Sequence, residues 1–138
     1  MVNSLNNVKK LLIILFFSII LSQEGNSAYL RLELENAIKD INARQFDSAI
    51  SRIENTNFSD SEYLNHSLIL KMKALRGINA IDQSLFVAKQ INKNDLNTNL
   101  QTIYSLELGD IFSEIGLFDE SFEHYLSARK SNIDTKAN

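Results

Sequence analysis

The stretch Tyr104–Ala128, YSLELGDIFSEIGLFDESFEHYLSA, constrains the fold more than any other part of the chain. Leu106, Leu108, Ile111, Phe112 and Ile115 recur in steps of three and four, which puts most of them on one helical stripe. Gly116 follows as a stop, because only glycine takes the left-handed conformation cheaply. Asp119 and Glu120 sit where a second helix begins, where negative charge suits the helix dipole. Phe118, Phe122, Tyr125 and Leu126 make the second stripe, and Ala128 allows close approach. Neither helix is long enough to stand alone in water, so each must pack on the other and on something more.

Small residues fall where the two helices would touch. Gly109, Ser121 and Ala128 remove bulk, and Phe112 and Tyr125 supply it opposite. The set Leu108-Gly109, Phe112, Gly116, Phe118, Ser121, Tyr125 and Ala128 resembles the tetratricopeptide repeat. Ser121 stands where that family has Ala, Ser105 lies near its usual Trp, and the closing Pro is absent.

The rest of the chain reads as weaker copies. Residues 28–44 predict a helix with Leu30, Leu34, Ala37, Ile38 and Ile41 inward, and Phe46–Asn55 predicts its partner. Asn55–Ser61 is turn-rich, and Ser59 with Glu62 has the form of a capping box. Tyr63–Arg76 predicts the next helix, with Leu64, Leu68, Met72 and Leu75 inward and Gly77 as its stop. Ala80–Ile91 is its partner. Asn92–Asn99, NKNDLNTN, is a polar connection to the last hairpin. Phe46, Ile81 and Phe118 align at intervals of 35 and 37 residues, close to the 34 of the tetratricopeptide family.

The expected fold is therefore all-α, three antiparallel helical hairpins (28–58, 59–94 and 95–131). The resemblance implies that they stack as a short right-handed solenoid. Three repeats is about the minimum for a stable stack. The polar end, 132–138, is expected to fray.

Residues 1–27 read as a signal peptide or N-terminal membrane anchor. Lys9 and Lys10 flank the apolar run Leu11–Leu21, LLIILFFSIIL, and small polar residues follow. Eleven helical residues span about 16 Å, short of a ~30 Å hydrocarbon core, so export is favoured over a stable span. The expected location is the periplasm or the exterior, or the face of the cytoplasmic membrane if the segment stays attached. Contact with the membrane is then through this segment alone.

Composition excludes several classes. The chain has no cysteine, hence no disulfide, thiolate metal site or cysteine nucleophile. It has no proline or tryptophan and only 4 glycines, which suits helices over a tightly turned β-sandwich. A formal charge of −3 is a poor match to nucleic acid, which demands clustered Lys and Arg. No HExxH, Gly-rich phosphate loop or GxSxG occurs, and His66 and His124 have no second ligand at helical spacing. No cofactor and no enzymatic activity are expected. Glu107, Asp110 and Glu114 form an acidic strip, read either as a solvated face or as a wall for a basic partner.

The resemblance implies a groove lined by first-helix positions. These are Arg31 and Leu34; His66, Ile69, Lys73 and Arg76; and Leu106, Asp110 and Ser113. Leu34 and Leu106 stand where some relatives use Lys to clamp a peptide carboxylate, so that clamp is not expected. The groove would be basic in the middle and acidic at the end, fitting a protein or peptide of mixed charge. The functional expectation is an exported interaction module. The alternative is the sensory region of a larger signalling protein of the histidine kinase or diguanylate cyclase type. The last hairpin lacks a polar cap, which leaves self-association there open.

Overall fold

The computed structural model describes residues 26–136, with side chains described as far as 131; the segment expected to be a signal peptide or anchor, 1–27, lies outside the described residues except for its last two positions. Every described element is helical, with no strand among the described residues. α1 spans 26–42, α2 Phe46–Asn55, α3 Ser61–Gly77 and α4 Ile81–Ala88. A 3-10 turn at Lys93–Asp95 leads to α5, Thr98–Glu114, and α6, Phe118–Lys136. The chain divides into two compact units, Met1–Leu32 and Glu33–Asn138, and the packing below lies within the second.

α2 packs on α3, α3 on α4 and α5, α4 on α5, and α5 on α6. One core runs through this series: Ile69, Met72 and Leu75 of α3, Val87 and Ala88 of α4, and Leu100, Leu108 and Ile111 of α5, with Ile91 and Leu96 from the connection. These are the apolar stripes that the three-and-four spacing marks out, so burial of one face per helix holds the unit together. Leu64 departs from the pattern: it is exposed, and Asn65 and Ser67 are buried beside it.

The three tight turns are built alike. At Ala43–Gln45, Ile78–Ala80 and Ile115–Leu117, three consecutive N–H groups donate to carbonyls four, three and five residues back. The middle residue is left-handed each time: Arg44 at φ 58, Asn79 at φ 62 and Gly116 at φ 80. Gly116 thus takes its expected role. Gly77 is the last residue of α3, as expected of a stop, but the left-handed residue of the turn is Asn79. Gly77 is needed for another reason. The Phe46 ring lies so close that an added Cβ would meet it at 2.6 Å.

The seats between paired helices also recur. The Ser84 hydroxyl donates to the Met72 carbonyl (2.9 Å), and the Ser121 hydroxyl to the Gly109 carbonyl (2.8 Å), both twelve residues back and both buried. In the first hairpin Ala37 and Ala49 hold the same relation in sequence and are both fully buried. Gly109 lies under the Tyr125 ring, where a Cβ would come within 2.5 Å. The small-against-large pairing expected for the last hairpin is present.

The caps differ from expectation. Asp60, not Ser59, caps α3, its carboxylate accepting from the N–H groups of Glu62 and Tyr63. Asn97 caps α5 by accepting from Leu100 N–H, and its amide also donates to Glu62 at 2.8 Å. α4 is shorter than the 80–91 expected, because Lys89–Asn92 turns away toward the 3-10 segment.

Candidate functional site

Arg76 stands near the end of α3 and reaches α5, a contact that brings two first-helix faces together. Its Nε donates to Glu107 Oε1 at 2.6 Å, Nη2 to Asp110 Oδ2 at 3.0 Å and Nη1 to Glu114 Oε1 at 2.7 Å. The three carboxylates lie three and four residues apart on α5, so one guanidinium fork serves the whole strip. Glu107 is the deeply buried member, its side chain 6 % exposed. Asp110 also accepts the Tyr125 hydroxyl at 2.7 Å, which ties α6 into the node.

The electrostatics follow from this geometry. Burial alone would lower the Arg76 pKa. Hydrogen bonds to Glu107 and Glu114, and the charges of Glu107 and Asp110, outweigh it and hold the guanidinium proton above its ordinary range. The Tyr125 phenol is pushed up, chiefly by its bond to Asp110. One cation faces three carboxylates, so the node carries surplus negative charge. A second fork sits in the first hairpin, where Arg52 binds Glu33 and Asp40, both at 3.0 Å.

The expected groove residues divide sharply. Arg76 and Asp110 are brought into contact. Lys73 lies one helical step before Arg76 and is exposed; Leu106 and Ser113 flank Asp110 on α5, Leu106 exposed and Ser113 half-buried. His66 is half-buried on the same stripe of α3, and burial lowers its pKa against the opposing charge of Glu62. Leu34 and Ile69 correct the expectation: they are 3 % and 1 % exposed, part of the interior, and offer no surface to a ligand. Arg31 lies on the exposed side of α1 in the N-terminal unit.

The basic middle of the expected groove is also corrected, since Arg76 spends its donors on the chain's own carboxylates. Glu107, Asp110 and Glu114 form the acidic strip as read, with Glu107 buried and the side chains of Asp110 and Glu114 still 42 % and 44 % exposed. Their cation comes from α3. Lys73 remains as the exposed positive charge beside the node.

A second surface lies between α2 and α4. It is a hollow of ≈ 300 Å³ walled by Ile50, Leu75, Ile78 and Phe86, with the Lys71–Glu54 ion pair (2.7 Å) at its rim. Phe86 is 65 % exposed there. His124 lies against α5, its ring stacked on Phe112 at 5.2 Å between centroids, and burial lowers its pKa with help from Lys93. Among the described residues no group of His, Asp and Glu could hold a metal ion, and no helix is long and apolar enough to cross a membrane. No protein-family model, no curated protein and no solved structure matches this chain.

Proposed function

We propose that this chain is a non-enzymatic interaction module, a short tetratricopeptide-like solenoid that binds a protein or peptide outside the cytoplasm. The observation that carries the reading is the recurring turn. Three hairpins close by the same three hydrogen bonds about a left-handed residue, at the 35- and 37-residue intervals of Phe46, Ile81 and Phe118. The order of contacts supports it too, since α3 touches its partner α4, the preceding α2 and the following α5. A stack made this way offers ligands a continuous face of first helices rather than an enclosed pocket.

On this reading the working face is the strip around the Arg76 node. Leu106 is its exposed apolar contact, Lys73 its exposed cation, and the surplus carboxylates of α5 its acidic side. An extended or helical segment bearing one apolar anchor and a basic residue fits that surface. Export rests on the apolar N-terminal run flanked by Lys9 and Lys10.

The test is affinity capture from an envelope extract with the wild-type chain and two variants. Lys73→Glu with Leu106→Asp alters the first-helix face; Phe86→Glu alters the hollow between α2 and α4. All these positions are exposed, so the fold is retained. The expected outcome is a partner lost with the first variant and kept with the second. Capture of the same partners by both variants would overturn the assigned face.

A further inference from the structure

We draw no further inference here: the strongest candidate, the exposed apolar face of α6 formed by Phe118, Phe122 and Leu126, carries nothing because nothing in the structure shows what covers it.

Discussion

Arg44, Asn79 and Gly116 do the same work with different side chains. All three sit at the left-handed residue of a recurring turn, at φ 58, 62 and 80. Glycine adopts that conformation freely, asparagine tolerates it, and a long side chain such as arginine is strained there by roughly 1 kcal/mol. Arg44→Gly should therefore raise stability by up to about 1 kcal/mol, and Gly116→Arg should lower it by a similar amount, as urea unfolding would measure. Added Cβ contacts do not complicate the reverse change, since nothing lies within 4 Å of Gly116. The same set explains what could be read in advance. Gly116 announces a turn. Arg44 carries no turn signal of its own. Gly77 does close α3, but the left-handed residue is Asn79, and what demands a glycine at 77 is an aromatic ring thirty-one residues earlier in the chain. Local pattern records conformational preference; it does not record which distant side chain presses on a backbone.

Helix–helix joints differ in how much they rest on charge. Arg76 binds its carboxylates with a side chain only 19 % exposed, and Glu107 opposite is nearly dry. Arg76→Met would leave the Glu107 carboxylate buried without its cation, and the expected loss is about 3 kcal/mol by urea unfolding. Arg76→Lys should recover only part of it, because an ammonium cannot serve three carboxylates with a planar fork. Arg52, 30 % exposed on α2, joins Glu33 and Asp40, whose side chains are 16 % and 15 % exposed, and Arg52→Met should cost about 1 to 2 kcal/mol, less than the loss at Arg76 because no carboxylate there is as deeply buried as Glu107. The helices themselves were legible from their apolar spacing: Phe46–Asn55 was read residue for residue. The joint was not. The acidic strip of α5 was plain in the sequence, but its cation lies 31 to 38 residues away on α3, beyond any helical period. The caps fell between the two cases. Asp60 and Ser59 are equally good capping residues, and only the backbone decides which one faces the free N–H groups.

At the scale of the whole unit, stability should respond to mild acid through the two histidines. Burial holds the pKa of both His66 and His124 below the ordinary imidazole value. The unfolded chain therefore binds protons first as pH falls through about 6.5. The stability these groups contribute is present above that pH and is lost below it, toward their depressed folded values. Urea midpoints should fall from pH 7.5 to 5.5, and the double variant His66→Gln with His124→Gln should flatten that decline. A decline of equal size in the variant would assign it to other groups. The charges that face these rings are Glu62 for His66 and Lys93 for His124; the first opposes the shift and the second deepens it. The all-helical class and the number of hairpins could be read from spacing. Which side chains share its surface could not, because the strip that meets solvent is composed by neighbours brought together only on folding.

The ring of Phe46 rests on a bare stretch of backbone at Gly77. A slip of one residue along α3 would put Arg76 or Ile78 beneath that ring, and neither leaves room for it. One missing side chain thus acts as an address. It tells the first hairpin where on the second to dock, and it forbids the sliding that helices held by greasy stripes alone would permit.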